Sequence, residues 1–227
     1  MQLSFLHRDA SCVVVNKPSG VIVHRGLAND AQDVMRAVRD RIGAHVYPVH
    51  RLDRGTSGAL LFALSSDTAR VLGKSFEEGR VEKCYWALTR GRPADGEIDH
   101  AIEKREGGPR VAAVTRVRCL GMAGRYALVE AHPLTGRLHQ VRRHLKHVSC
   151  PIIGDVNYGK GEHNRYFREH YGLHRLALHA VAISFEHPET GVRLSVRAPL
   201  EAQLRSCLAA LGLPTDDEVS AGEGACP

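Results

Sequence analysis

At 227 residues and a formal charge of +6, the chain is long enough to bury a full core without disulfides or metals, and its cations are 25 Arg against 6 Lys. Arginine makes planar, bidentate contacts with phosphate and stacks on bases, so this balance suits a nucleic-acid partner; a genome rich in arginine codons produces the same balance. The six cysteines form no C-x-x-C pair and match no zinc spacing, no apolar run reaches the length of a membrane span, and Met1–Arg8 lacks an apolar signal region. A reduced, cytoplasmic protein is the expectation.

In chain order, Cys12–Lys17 is a β-branched run ended by the Pro18-Ser19-Gly20 turn, which predicts a strand, and Val21–His24 resumes in extended form. Asp33 to Ile42 places Val34, Val38 and Ile42 on one helical face. Thr56 to Leu64 reads as a buried strand, and Ser66 to Glu78 as a helix with Ser66 as N-cap and Gly79 as its stop. Strands are predicted at Val81–Thr89, Val114–Leu120 and Tyr126–Ala131, with Arg105–Arg110 a surface loop. Leu138 to Val148 carries an apolar helical stripe, Leu176–Glu186 and Val192–Val196 read as strands, and Leu200–Leu211 as a last helix. Residues 214–227, acidic and without periodicity, are expected to form a disordered tail. Strands and helices mix without regular β-α-β alternation, which favours an α+β fold with a largely antiparallel mixed sheet flanked by helices.

The chemistry concentrates in His50-Arg51-Leu52-Asp53-Arg54-Gly55-Thr56-Ser57-Gly58. Asp53 lies between two arginines, where cations keep a carboxylate ionised and let it meet a negatively charged substrate; an aspartate that merely caps the Gly-Thr-Ser-Gly turn is the competing reading. His139, His144 and His147 suggest a metal set, but no carboxylate or cysteine completes one, so no metal is expected. Arg25, Arg54, Arg142, Arg143, Lys146, Lys160, Arg165, Arg168 and Arg175 are candidate phosphate contacts, each equally readable as a solvated surface charge.

The H-R-L-D-x-x-T-S-G segment resembles the signature of the RluA-like pseudouridine synthases. The same group is resembled by Asn16-Lys17-Pro18-Ser19-Gly20 with His24, by Lys83-Cys84-Tyr85-Trp86-Ala87, and by Pro133-Leu134-Thr135-Gly136-Arg137-Leu138-His139-Gln140-Val141-Arg142-Arg143-His144-Leu145. Leu176–Ala180 and Pro188-Glu189-Thr190-Gly191 resemble its closing strands, so the resemblance runs from about Leu3 to Leu211 in the family order. It implies a pseudouridine-synthase catalytic domain over 1–213, no preceding S4-type RNA-binding domain, and an isomerase that needs no cofactor because the product is an isomer of the substrate.

By the same resemblance Asp53 is the catalytic aspartate, Arg51 fills the gap left by the flipped uridine, Tyr85 stacks on the target base, and Arg137 pairs with the aspartate. Each assignment makes physical sense: an extruded base leaves a vacancy that a planar guanidinium can occupy, and base stacking on an aromatic ring is worth about 1–3 kcal/mol. Without the motif, Tyr85 reads as an ordinary strand aromatic and Arg137 as a surface charge or phosphate contact. His50 is assigned a scaffolding role.

The stretch Gly154–Leu176 is longer than the short loop expected in ribosomal enzymes of the group, and it mixes basic residues with Tyr and Phe, as suits a grip on RNA. Its G-D-x-N-x-G-K-G-x-H-N-R form resembles the branch that modifies uridine 65 of tRNA. The expected partner is therefore tRNA, bound by a monomer. Alternatives are a ribosomal RNA or another tRNA site, a non-catalytic RNA-binding protein on the same scaffold, and a metal-dependent RNA hydrolase.

Overall fold

The computed structural model describes residues 3–24, 33–104 and 107–215. Arg25, most of the tail assigned to 214–227, and part of the loop at 105–110 lie outside the described residues. The chain divides into two compact units, Met1–Lys83 with Ala180–Pro199, and Cys84–His179 with Leu200–Pro227.

The first unit is built on hairpins. β1 (Ser4–Arg8) pairs with β2 (Cys12–Lys17), and β2 pairs with β4 (Ser57–Ala63), all antiparallel. Asp9 shapes the β1–β2 turn, one of its carboxylate oxygens accepting from the amides of Ser11 and Cys12 at 2.7 and 2.8 Å. β3 (Tyr47–Pro48) joins the other side of β4 locally, while β11 (Leu178–Glu186) lies next to β4 and carries β12 (Arg193–Arg197). All seven residues of β4 are buried, as an inner strand covered on both faces requires. Cys12, Val14, Leu61, Leu72, Ile183 and Phe185 form the core beneath it.

Two helices complete this unit. α1 (Val34–Ile42) starts at Asp33, whose carboxylate accepts from the Arg36 amide, and ends at Gly43 with φ 77°. α2 (Ser66–Glu77) is capped by Ser65, one residue before the expected Ser66, because Ser65 has the extended backbone (φ −138°) that lets its hydroxyl reach the Thr68 amide. The extension predicted at Val21–His24 is reduced to an isolated bridge between Ile22 and Asp33.

The second unit has the strand order β5 (Glu82–Arg90), β10 (Tyr126–Pro133), β9 (Val114–Ala123), β6 (Gly96–Asp99), every pairing antiparallel. A small hairpin, β7 (Ile102–Glu103) and β8 (Arg110–Val111), stands apart. α3 (Gln140–His147), α4 (Gly161–Tyr171) and α5 (Ala202–Ala210) complete it, with Trp86, Leu88, Leu128, Leu145, Phe167 and Leu208 buried. The architecture is α+β with antiparallel pairings, as expected. Among the described residues no helix is long and apolar enough to cross a membrane.

Candidate active site

The loop between β3 and β4 carries Arg51, exposed, and Asp53, half-buried, with Leu52 buried between them as an apolar anchor. The loop is held from the Asn16–Gly20 turn. Lys17 is completely buried and its ammonium donates to the carbonyls of Pro18 (2.8 Å), Val21 (2.7 Å) and Arg54 (3.3 Å). An ammonium in such a place is tolerated because each of its donors finds an acceptor. The Gly20 amide also donates to the Arg54 carbonyl at 2.8 Å, the Arg54 side chain returns a bond to the Gly20 carbonyl at 3.0 Å, and the Ser19 hydroxyl donates to Gly55 at 2.7 Å. Arg54, expected to meet phosphate, thus braces the loop. The Thr56 amide closes the turn on the Asp53 carbonyl at 3.1 Å, so the Asp53 backbone is fixed on a braced turn.

His50 is the scaffold expected of it. Its Nε2 accepts from the Leu61 amide at 3.0 Å, and its ring stacks on Phe76 with centroids 4.8 Å apart. Burial, with Lys83 nearby, pushes its pKa down to about 3, so it is neutral with the proton on Nδ1. Gly58 closes the motif at φ +113°, where a Cβ would stand 2.2 Å from the Ala180 carbonyl oxygen; only glycine fits.

The other two predicted residues lie in the second unit. Tyr85 is half-buried in β5 opposite Ala131 of β10, on the strand face away from the buried Cys84 and Trp86. Arg137 is exposed on the loop between β10 and α3, its Nε donating to the Ala112 carbonyl at 3.1 Å. Gln140 organises that loop, a part the sequence did not reveal. Its side-chain oxygen accepts from the Thr135 hydroxyl (2.6 Å) and the Arg137 amide (3.0 Å), and its nitrogen donates to the Val114 carbonyl (2.9 Å) and the Thr115 hydroxyl (3.0 Å). All four hydrogen-bonding directions of the side chain are filled, which aims the Arg137 backbone before any ligand arrives.

The three histidines assembled as a metal set serve other purposes. His139 bonds the Tyr158 hydroxyl at 3.1 Å, His144 is engaged at both ring nitrogens, by Thr115 (2.9 Å) and the His100 carbonyl (3.0 Å), and His147 stacks on His100. Two other groups have ligand-like atoms close together, His7–Asp9–Cys12 and Cys84–Glu130–His132. In each the carboxylate is already matched: Asp9 by His7 and His187, Glu130 by Arg118 and His132. Burial alone would raise Glu130, and those two partners more than offset it, holding the group at about 2.

Several candidate phosphate contacts are structural. Arg142 is buried and makes a bidentate bond to the buried Asp155, at 2.7 and 2.9 Å, and Arg175 is bonded to Glu201 and to the carbonyls of Leu176 and Leu178. Lys146, Lys160, Arg165 and Arg168 remain exposed. The Gly154–Leu176 stretch, expected as a loop gripping RNA with its aromatics, folds around α4, and most of its rings pack inward. The Tyr126 hydroxyl meets His163 Nδ1 at 3.0 Å, and Phe167, fully buried, lies edge-on to Tyr126 and stacked with Tyr171. Asn164 bonds the Gly154 amide and the Asp155 carbonyl. Gly154 and Gly159 are required because a Cβ would fall 2.0 Å from the Arg175 oxygen and 2.3 Å from the Asp155 oxygen. The residues of that segment named here are thus largely structural, and Tyr166 is an exposed phenol ring within it.

The sequence profile described as RNA pseudouridylate synthase matches residues 11–147. The tRNA pseudouridine synthase C of Haemophilus ducreyi is 41% identical over 226 residues, spanning 89% of this chain and 93% of the relative. The protein of the same description from Vibrio cholerae is 40% identical over 234 residues, spanning 92% of this chain and 96% of its own. Among solved structures, human RNA Pseudouridylate Synthase Domain Containing 4 superimposes with a TM-score of 0.77 at 28% identity, covering 93% of this chain and 94% of that one. The profile match, the identity across nearly the whole chain and the α+β fold agree: the chain belongs to the RNA pseudouridylate synthase family.

Proposed function

We propose that the protein converts a uridine of tRNA, at position 65, to pseudouridine, with Asp53 acting on a nucleotide flipped out of its helix. The observation that carries the tRNA assignment is 41% identity across nearly the whole chain to a relative described as a tRNA pseudouridine synthase. Family membership makes the chain an isomerase acting on RNA. The reaction breaks the C1′–N1 bond, turns the uracil and joins C1′ to C5; the C5 proton is lost and N1 gains one, so atoms balance without an added reactant.

Attack at C1′, addition at C6 and a glycal route each need one carboxylate at the reacting nucleoside. Asp53, set on a braced turn, is assigned that role. Arg51, exposed on the same loop, is free to enter the vacancy left by the base, and Tyr85 supplies a ring for stacking. Arg137 is assigned, by the family resemblance, as the cation that pairs with the aspartate. A tRNA substrate places the work in the cytoplasm.

The test combines Asp53→Ala with a tRNA transcript tritiated at uridine C5. Loss of tritium release with transcript binding retained supports the assignment; substantial release by the variant removes Asp53 from the chemistry. Pseudouridine mapping of RNA from cells with and without the protein tests the target, and loss of a ribosomal site alone overturns the tRNA reading.

A further inference from the structure

On the second unit, apart from the residues assigned to catalysis, two imidazoles lie face to face. His100, following β6, and His147, ending α3, have ring centroids 3.6 Å apart and planes 14° apart. The rings are parallel, so their nitrogens do not converge as metal ligands do. The charged groups that act on His100 are cationic. Burial, His147, Arg110 of β8 and Arg143 of α3 all lower the pKa of His100. The carboxylates on the same elements are Asp99, next to His100, and Glu103, across the β7–β8 pair from Arg110. Among the described residues neither makes an ion pair with Arg110, Arg143 or either histidine. Arg143 donates instead to the backbone carbonyl of Glu103 at 2.9 Å.

The stack stands on a rigid base. The Gln140 amide donates to the Thr115 hydroxyl, which must then donate to His144 Nδ1, leaving His144 Nε2 to donate to the His100 carbonyl at 3.0 Å. His144 is therefore neutral with its proton on Nε2, in keeping with a pKa lowered by burial and by His100 and His147. A set of cationic and protonatable groups held this close, partly open to water and without a carboxylate partner among the described residues, opposes itself in the free protein. An anion relieves it. A phosphodiester is the anion that a protein acting on RNA meets, and two arginines with two protonatable rings fit its oxygens.

We propose that His100, His147, Arg110 and Arg143 form a binding site for an RNA backbone phosphate, distinct from the catalytic loop, whose grip is coupled to proton uptake by the stacked histidines. This rests on the reading of the protein as RNA-acting. In the free protein a second proton on the stack is repelled by the first and by both arginines. A phosphate laid on the stack removes that repulsion, so binding strengthens as pH falls.

The test measures binding of a tRNA transcript to the full chain at pH 6.0 and 7.5 across a salt series, for the wild type, His147→Gln, His100→Gln and Arg110→Gln. The wild type is expected to bind about three- to tenfold more tightly at pH 6.0, and both histidine variants to lose most of that gain. Arg110→Gln is expected to reduce the slope of log affinity against log salt by about one. Titration of the two imidazoles by NMR separates the sources of phosphate: the transcript should raise their apparent pKa values well beyond what inorganic phosphate does at equal phosphate concentration. An unchanged pH gain in both histidine variants, or an equal response to inorganic phosphate, overturns the site as an RNA contact. A wild type that binds no transcript under any condition overturns the functional reading itself, and this inference with it.

Discussion

The ammonium of Lys17 reaches 37 residues along the chain to the carbonyl of Arg54, the residue after Asp53, from a position with no solvent exposure. The loop that carries Asp53 is therefore held by a buried charge donating to backbone.

Lys17→Met should remove that brace and leave buried carbonyls without donors. The expected cost is about 3 kcal/mol of stability, since unsatisfied buried acceptors cost about 1–3 kcal/mol each and water re-enters part of the site. Urea unfolding measures the loss, and turnover should fall further than transcript affinity. A variant with full stability and turnover would show that the loop holds its shape without the charge.

Arg142→Ala should act on stability and leave salt-dependent RNA binding almost unchanged, because Arg142 faces the buried Asp155. Breaking a buried pair on one side costs about 3–5 kcal/mol, as it strands the other charge. Lys146→Ala, exposed on the same helix, should do the reverse: near-native melting and a shallower salt slope.

Acid should unfold the protein partly through His50. Its folded pKa is depressed to about 3 against an ordinary value of 6.5, so the unfolded chain binds a proton that the folded one refuses. The resulting stability is complete above pH 6.5 and declines as pH falls toward 3, by about 1.4 kcal/mol per pH unit. Glu130, depressed to about 2 from 4.5, adds a second loss below pH 4.5 with the same sign. His50→Gln, whose side-chain oxygen can still accept from the Leu61 amide, should flatten the decline between pH 6.5 and 4.5. An identical acid profile in the two proteins would remove His50 as its cause.

Gly58→Ala should be among the most damaging single changes in the chain. It forces a Cβ to within 2.2 Å of the Ala180 oxygen at a left-handed φ of +113°. A loss of about 3 kcal/mol or more is expected, read as a fall in melting temperature. Gly136→Ala, with open space around its Cβ position, is the control and should melt near the wild type.

Elements with a strong local pattern were legible in the sequence. Cys12–Lys17 is a strand over the expected residues, and Val34 and Val38 mark the buried side of α1. β6 was missed because Ile98 is its one buried residue amid charges, and α4 because only His163 and Phe167 of its eleven residues are buried, too few to make a stripe. Site residues that are neighbours in sequence, such as Arg51 and Asp53, could be read together. The roles of Gln140 and Asp155 could not, since Gln140 bonds Thr115 across 25 residues and Asp155 binds Arg142 across 13. A buried arginine and a solvated one look alike until the fold supplies the partner.

The construction of α4 has an evolutionary consequence. Its inward residues His163, Asn164, Phe167 and Tyr171 fasten it, whereas Arg165 and Arg168 are exposed. Substitutions on that outer surface can accumulate at small energetic penalty. A lineage could thus retune which nucleic acid it favours by rewriting a few solvent-facing letters, with its chemistry inherited intact.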